Sequence, residues 1–276
     1  MSQQSSFLSS AVLKDRAKGR LEGNYLKLFC VTLVVAAITF VFSFLTSFVE
    51  TLLFLLYFIV KGGMGGLSAD QLQLLLSEGN IQQLSPMAFA VIQYTLVQIV
   101  SVFTTVMQIG ICLCYLNIAC GRQMKISDVF YGFRNQFGKS IKLCIVLVLL
   151  GQLYYLPQQF MNYLIQTKAE WRYVLFALLA YTAGVLIYVI VHLSISQTVL
   201  LFLDFPGYSV GELFRLSIHI MKGHKARLFY IQLSFLPLLF LSLLTLFIGN
   251  LWLTPYMNMT YVLFFLNLMQ AREKSC

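Results

Sequence analysis

The sequence predicts an all-α protein that crosses a membrane several times, and three observations support that fold class. The 276-residue chain is 59% hydrophobic and only 11% charged, whereas soluble globular domains are about 45–50% apolar and about 25% charged. Its mean hydropathy is +0.81, which exceeds what one water-soluble core could bury. The apolar residues also form long unbroken runs instead of the alternating segments of a membrane barrel. A soluble domain is therefore excluded.

Six stretches are long and apolar enough to cross the bilayer as helices. A crossing takes roughly 20 residues, because about 30 Å of hydrocarbon must be spanned at the helical rise. We place the spans at residues 28–49, 87–109 with a continuation to 118, 143–165, 173–195 with a continuation towards 203, 228–248 and 251–269. The prediction is one integral membrane domain covering residues 1–276, with a short cytoplasmic tail at 271–276.

The distribution of Lys and Arg predicts the orientation. The N-terminal side of the spans holds 16 of the 19 basic residues, and only Lys61, Lys168 and Arg172 fall on the other side. Cytoplasmic loops carry the excess of Lys and Arg, so both termini are expected in the cytoplasm, provided that the number of spans is even. The 16 are Lys14, Arg16, Lys18, Arg20, Lys27, Arg122, Lys125, Arg134, Lys139, Lys142, Arg215, Lys222, Lys225, Arg227, Arg272 and Lys274.

The net charge of +9 is explained by this bias. The basic residues lie next to span ends and do not form a groove with interleaved aromatic residues, so we expect no nucleic acid partner. A basic rim of this kind attracts anionic lipid headgroups by about 1 kcal/mol per residue close to the surface. We therefore expect a protein of the cell membrane that contacts anionic lipid.

A short motif recurs where the chain enters the odd-numbered spans. Gly23, Gly138 and Gly223 each begin the pattern Gly-x-x-x-Lys/Arg-Leu. Each copy follows a segment with helical apolar spacing and precedes two spans. The repetition predicts three tandem units of an interfacial amphipathic helix plus a transmembrane hairpin, at about residues 8–118, 122–203 and 206–270.

The third interfacial helix has the clearest pattern. Ser209 and Glu212 form a capping box, and the apolar face that follows is Val210, Leu213, Phe214, Ile218 and Met221. In the second copy Ser127 is the expected cap, and the apolar stripe is Val129, Phe130, Phe133 and Phe137. The first copy sets Leu13, Ala17 and Leu21 against Lys14, Arg16 and Lys18. Helices of this type lie in the headgroup plane.

The basic residues of these helices and junctions are candidates for contact with lipid headgroups or a protein partner. In one interpretation the glycine only turns the backbone, and the cation after it anchors the span end by snorkelling. In the other, the copies form a site for lipid phosphate. A second copy of the chain is a further possible partner. The candidates are Lys27, Lys139, Lys142, Arg215, Lys222, Lys225 and Arg227.

A polar path through the membrane is the alternative function. His192 is ionisable and lies well inside a span, while Gln158, Gln159 and Asn162 follow Pro157, as in the broken helices of transporters. Hydrogen bonding between neighbouring helices explains the same residues. His192→Ala and Gln158→Ala abolish flux of a solute only if the chain is a transporter or channel component. Glu50 either snorkels to water or faces a cavity.

Nothing in the sequence predicts an enzyme, a cofactor or a metal site. H-E-x-x-H, G-x-S-x-G and paired carboxylates inside a span are absent from it. The segment from Gly132 to Ser140 resembles a phosphate loop, but it has five residues between its glycines and no preceding strand. The six cysteines lie in spans or on the cytoplasmic side, so no disulfide is expected.

The last third of the chain carries a family resemblance. It contains MKG-x-K-x-RLF, then LSF, then LW-x-x-PY-x-x-x-T, between Met221 and Thr260. This order resembles the bacterial integral membrane family catalogued as domain of unknown function nine-seven-five, and the similarity extends over nearly the whole chain. The resemblance implies a six-span bacterial membrane protein and no established activity.

Overall fold

The computed structural model describes residues 7–62, 87–167, 171–245 and 248–273. Most of the loop expected after the first span, Lys168, and the last three residues of the predicted tail lie outside this part of the chain. The described residues form helices, turns and connecting segments, with no strand among them. The predicted all-α class is therefore confirmed.

Twelve α-helices make up the described chain, and two short 3₁₀ segments connect some of them. The 3₁₀ segments are Ile126–Phe130 and Gln152–Tyr154. The α-helices are α1 Ser10–Leu21, α2 Tyr25–Gly62, α3 Met87–Ala119, α4 Tyr131–Arg134, α5 Phe137–Gly151, α6 Tyr155–Thr167, α7 Trp171–Ile195, α8 Thr198–Asp204, α9 Val210–Ile220, α10 Lys225–Leu233, α11 Leu236–Leu244 and α12 Ile248–Glu273.

Five helical stretches within the described residues are long and apolar enough to cross a membrane. They are Tyr25–Leu53, Val91–Ala119, Phe137–Asn162, Val174–Asp204 and Lys225–Leu244. They coincide with the first five predicted spans, and both proposed continuations, to 118 and towards 203, are helical. The chain is thus a multi-pass membrane protein by the length and composition of its helices. The sixth predicted span, 251–269, is helical within α12 but does not belong to these five.

Polar residues and prolines divide three of these stretches into shorter helices. Pro237 near the start of α11 has no N–H for the carbonyl four residues back, which separates α11 from α10. Pro157 lies in the first turn of α6 after the 3₁₀ turn. Between α7 and α8, the hydroxyls of Ser196 and Thr198 donate to the carbonyls of Leu193 and Ile195, and such bonds compete with the helix.

The chain divides into two compact units. One consists of Met1–Val34 and Thr105–Cys276, and the other of Val35–Thr104; we call them the packed unit and the hairpin unit. The packed unit has close backbone approaches, the tightest at Gly110. A Cβ atom there would lie 1.9 Å from the carbonyl oxygen of Val129, so only glycine fits. The three tandem units predicted from the sequence stay a prediction.

The recurrent glycine junction is real at two copies and different at the third. Gly23 and Gly223 have φ of +77° and +81° in the turns between α1 and α2 and between α9 and α10. Glycine reaches this left-handed region at little cost. Gly138, in contrast, lies inside α5, and the left-handed residue of that junction is Gln136, with φ of +52°. The predicted turn at Gly138 is therefore wrong.

The second interfacial segment is not one amphipathic helix. It consists of a 3₁₀ turn and the four residues of α4, and its N-cap is Lys125 instead of the predicted Ser127. The Asp128 carboxylate accepts the Lys125 N–H at 3.1 Å, which caps the 3₁₀ segment that begins at Ile126. Of the predicted stripe, Val129 is buried, whereas Phe130 and Phe137 are exposed.

Candidate functional site

The N-terminal helix α1 is packed against protein. Ser9 caps it by accepting the Val12 N–H, and Leu13, Ala17 and Leu21 recur every four residues along one side. All three are buried, and α1 packs mainly on α12. Its apolar stripe therefore contributes to the core of the packed unit, whereas Arg16, Lys18 and Arg20 of the same helix are exposed.

Arg227, at the start of α10, holds the segment that precedes α1. Its Nη2 atom donates to the backbone carbonyl of Leu8 and, at 3.2 Å, to Oδ1 of Asn267. The same Oδ1 accepts the Leu8 N–H at 3.3 Å. The guanidinium also lies over the rings of Phe7 and Phe264, 5.1 and 5.6 Å from their centroids. Arg227 thus connects three segments that are far apart in sequence.

Lys14 makes a second connection from α1. Its Nζ donates to the carbonyl of Ser234 at 3.1 Å and lies 4.1 Å from the centroid of the Phe235 ring. Burial lowers the pKa of Lys14, and the positive charge of Lys18 lowers it further. The cation compensates for its lost hydration with a carbonyl and an aromatic face. Lys14 therefore stabilises the docking of α1 and is unavailable to a ligand.

Two adjoining cavities open beside the polar face of α1. The larger, of about 540 Å³, is bordered by Arg16 and Arg20 of α1 and by Asn267 and Gln270 of α12. The smaller, of about 460 Å³, we call the basic cleft. It is lined by Gly19, Arg20, Glu22, Asn24, Lys27, Ile118, Gly121, Arg122, Gln123 and Met124.

The basic cleft brings cations from three places in the sequence together. Arg20 ends α1, Lys27 lies in the first turn of α2, and Arg122 follows α3. Among the described residues that line the cleft, Glu22 is the only acidic one. Sequence analysis counted Arg20 and Arg122 in the charge bias but did not select them as contact residues. Their proximity depends on α1 folding back beside the end of α3, which no local pattern encodes.

A third cavity, of about 250 Å³, lies beside the turn between α9 and α10. His224 borders it and packs on Phe7, with ring centroids 4.6 Å apart. Burial lowers the pKa of His224, and the charge of Arg227 lowers it further. The neutral imidazole is therefore favoured at neutral pH. The lining is Phe7, His219, Ile220, Lys222, His224, Leu268, Ala271 and Arg272.

The capping box of α9 is confirmed. Glu212 Oε2 accepts the Ser209 N–H at 2.7 Å and the Ser209 hydroxyl at 2.8 Å, and Ser209 Oγ accepts the Glu212 N–H at 3.4 Å. The backbone hydrogen bond from Ser209 is the main reason that the pKa of Glu212 is lowered, followed by the one from its hydroxyl. Leu213 and Met221 of the predicted apolar face are buried, whereas Ile218 is exposed.

The seven candidate headgroup contacts fall into two groups. Exposed side chains are those of Lys27, Lys142, Arg215 and Lys222. Lys139, Lys225 and Arg227 are partly buried. Lys139 donates to the carbonyl of Pro206 at 2.6 Å and lies 5.3 Å from the Phe202 ring centroid. Lys139 and Arg227 therefore hold segments of the protein together, and the exposed group is the better placed for lipid.

The four candidates for a polar path do not line one of the cavities described above. Gln158, Gln159 and Asn162 are exposed on α6, and His192 is exposed on α7 beside Tyr188, with ring centroids 5.8 Å apart. Pro157 faces Gly184, where a Cβ atom would lie 2.3 Å from its Cγ. His192 is eight residues beyond Gly184, or about 12 Å along the helix. The transport path stays a prediction.

The described part of the chain has no group of three or more His, Cys, Asp or Glu side chains that could hold a metal ion. Cys30, Cys112, Cys114, Cys120 and Cys144 are free thiols. The chemical groups concentrated in the cavities beside α1 are instead guanidinium, ammonium and amide. Such groups bind phosphate and carboxylate.

These features define a helical multi-pass membrane protein with basic cavities at the junctions between its helices. The chain belongs to the family described as "Protein of unknown function (DUF975)", whose model matches residues 8–272. The resemblance seen in the sequence is therefore confirmed. Neither a curated protein nor a solved structure matches the chain. The family description names no activity, so a functional proposal has to rest on the arrangement of the side chains.

Proposed function

We propose that the chain is a non-catalytic protein of the cell membrane whose basic cytoplasmic end binds anionic lipid headgroups. The basic cleft is the observation that supports this most directly, because Arg20, Lys27 and Arg122 line it together. Guanidinium and ammonium groups pair with phosphate oxygens by charge-assisted hydrogen bonds. The exposed Lys142, Arg215 and Lys222 extend the same positive surface.

The proposal includes six spans with both termini in the cytoplasm. Helix α12 is the sixth span, and its 26 residues extend about 39 Å, enough for a crossing. Its lower hydropathy has a physical explanation, since residues such as Met259, Thr260 and Phe264 are fully buried and meet protein instead of lipid. Polar residues such as Asn267 are tolerated in a helix that is surrounded by protein.

The test is a titration of lipid against the purified full-length chain in a neutral detergent. Native mass spectrometry measures the affinity for phosphatidylglycerol, with phosphatidylcholine as the uncharged reference. Arg20→Gln, Lys27→Gln and Arg122→Gln are combined in one variant. Each basic residue contributes about 1 kcal/mol near anionic lipid, so the triple variant is expected to bind phosphatidylglycerol more than about tenfold more weakly.

A second triple variant controls for net charge. Lys18→Gln, Arg134→Gln and Arg172→Gln remove the same three charges from positions that line neither cavity beside α1. Because Lys18 and Arg134 belong to the basic rim, this variant should lose some affinity, but clearly less than the cleft variant. Equal losses of affinity in both variants would mean that net charge alone explains lipid binding. Unchanged binding in the cleft variant would overturn the proposal, and a protein would then be the expected partner of the cleft.

A further inference from the structure

The hairpin unit contains a polar cavity between its two membrane helices. It has a volume of about 300 Å³, and we call it the Glu50 cavity. One wall comes from α2 and the other from α3. The lining is Thr39, Ser43, Thr46, Ser47, Glu50, Val97, Val100, Ser101 and Thr104.

Four polar residues of α2 lie on a single face. Thr39, Ser43, Thr46 and Glu50 are spaced by four, three and four residues, which brings them onto one side of a helix. The neighbouring positions Phe40, Phe44 and Phe48 are 71%, 63% and 60% exposed. The helix therefore directs these three phenylalanines outwards and Glu50 and the lining hydroxyls towards α3, against which Phe42 also packs through Phe103.

Glu50 is only partly satisfied in this cavity. Its Oε2 atom accepts from the side-chain amide of Gln93 at 3.4 Å, which is long for a hydrogen bond. Its Oε1 atom is buried and has no hydrogen-bond partner among the described residues. Leaving a carboxylate oxygen in this state is costly in a membrane-spanning segment, where ionisable residues usually mark ion or proton sites. The arrangement leaves one strong acceptor for a ligand.

The hydroxyl groups around Glu50 also present acceptors. Four of them use their proton within their own helix, donating to backbone carbonyls three or four residues back. Because their protons are used in this way, these hydroxyl oxygens can contact a ligand only through their lone pairs. The bonds are Thr39 to Val35 at 2.8 Å, Thr46 to Phe42 at 2.7 Å, Ser101 to Val97 at 2.8 Å and Thr104 to Ser101 at 3.0 Å.

The composition of the lining selects one class of ligand. Among the described residues of the lining there is no Lys or Arg, which disfavours an anion, and no aromatic ring, which disfavours an organic ammonium ion. A single carboxylate neutralises a monovalent cation, whereas a divalent ion would leave a net positive charge in a medium of low dielectric. Each water takes about 30 Å³, so the cavity has room for a cation with part of its hydration shell.

We propose that the Glu50 cavity is a binding site for a monovalent alkali cation, held by the Glu50 carboxylate and by the hydroxyl oxygens of α2 and α3. Hard cations prefer oxygen ligands of this kind. The site is separate from the basic cleft and does not depend on lipid binding there.

The test measures the melting temperature of the purified full-length chain in neutral detergent while NaCl or KCl replaces choline chloride at constant ionic strength. A ligand that binds only the folded state stabilises it, so at least one alkali cation should raise the melting temperature by several °C with saturation. Glu50→Gln should lose this response. Asp15→Asn, which removes an exposed carboxylate from α1, should keep it.

Thr46→Val covers the case in which Glu50→Gln does not fold. It removes one hydroxyl and keeps both shape and carboxylate, and it should raise the half-saturating cation concentration about tenfold. Thr95→Val is the matched control, because Thr95 bonds to its own helix and does not line the cavity. The proposal would be overturned by equal melting temperatures in choline and alkali salts, or by a cation response that survives Glu50→Gln. It would also be overturned if acidification alone stabilised the protein, since the ligand of the cavity would then be a proton.

Discussion

The packed unit and the hairpin unit place their side chains in opposite ways. Among the described residues, every buried apolar side chain except Val35 belongs to the packed unit. The hairpin unit exposes Phe40, Phe44 and Phe48 and surrounds its cavity with hydroxyls and Glu50. The packed unit is therefore stabilised by its own core, whereas the hairpin unit needs lipid to cover its apolar surface.

The comparison predicts its largest effect at Gly110 in the packed unit. An alanine Cβ there would lie 1.9 Å from the Val129 carbonyl oxygen and 2.7 Å from its Cα. Because both are backbone atoms, no side chain can move aside, and Gly110→Ala should cost more than about 4 kcal/mol. The measurement is the yield of monodisperse protein after detergent extraction, together with its melting temperature.

Gly138→Ala is the matched control for that experiment. No atom of the described chain lies within 4 Å of the added Cβ, and the residue is inside α5. The exchange should therefore stabilise the protein by about 0.5–1 kcal/mol. A Gly110→Ala protein that melts like the wild type would refute the close packing of the first unit.

The next largest effect is expected from Arg227→Gln. Hydrogen bonds to charged groups contribute about 1.5–3 kcal/mol each, and this change removes the guanidinium that holds Leu8 and Asn267. We expect a loss of about 2 kcal/mol and faster trypsin cleavage at Arg16 and Arg20 on the released segment. Arg215→Gln, at an exposed position of α9, should change neither. Unaltered cleavage in Arg227→Gln would show that α1 is held by its apolar stripe alone.

A smaller effect distinguishes the three junctions. Gly23→Ala and Gly223→Ala should each cost about 1 kcal/mol, because an L-residue is strained at positive φ. Gln136→Gly should be neutral or stabilising for the same reason, whereas Gly138→Ala is harmless. Thermal melts of the four variants measure this order. A loss at Gly138 equal to that at Gly223 would restore the threefold turn that the sequence suggests.

The smallest effect is expected on the lipid-facing side of the hairpin unit. Phe44 is 63% exposed, and leucine is as compatible with hydrocarbon as phenylalanine. Phe44→Leu should therefore shift the free energy of unfolding by less than about 0.5 kcal/mol. A much larger loss in the purified chain would mean that another protein surface, and not lipid, covers this side of α2.

The helices were predictable from the sequence because hydrophobicity and capping act locally. The unbroken apolar runs gave the first five spans, and the pair Ser209 and Glu212 gave the start of α9. The departure at the Gly138 junction was not predictable, since the left-handed conformation falls on Gln136. Glutamine rarely adopts this conformation, so the residue type gave no sign of it. The left-handed residue lies two positions before Gly138, at the point where α4 ends and α5 begins.

The sites were less predictable than the helices because they combine residues from distant segments. From the sequence alone, Arg227 is interpreted as a cation that anchors a span end at the membrane surface. In the structure its guanidinium instead bonds to Leu8 and Asn267. The sequence left Glu50 with two options, water or a cavity, and the structure places it in a cavity whose other wall is α3. These roles depend on which helices pack against each other. The residue pattern of a single helix does not encode that packing.

The number of crossings is the central claim, because the lipid-binding proposal requires every basic junction to lie on one side of the membrane. Attaching a reporter to each end and testing protease access in sealed vesicles of known orientation measures this directly. The account predicts that both ends are on the cytoplasmic side, with α12 as the sixth crossing. Ends on opposite sides would contradict it, since without the sixth crossing the C-terminal Arg272 and Lys274 would leave the side that holds the other basic residues.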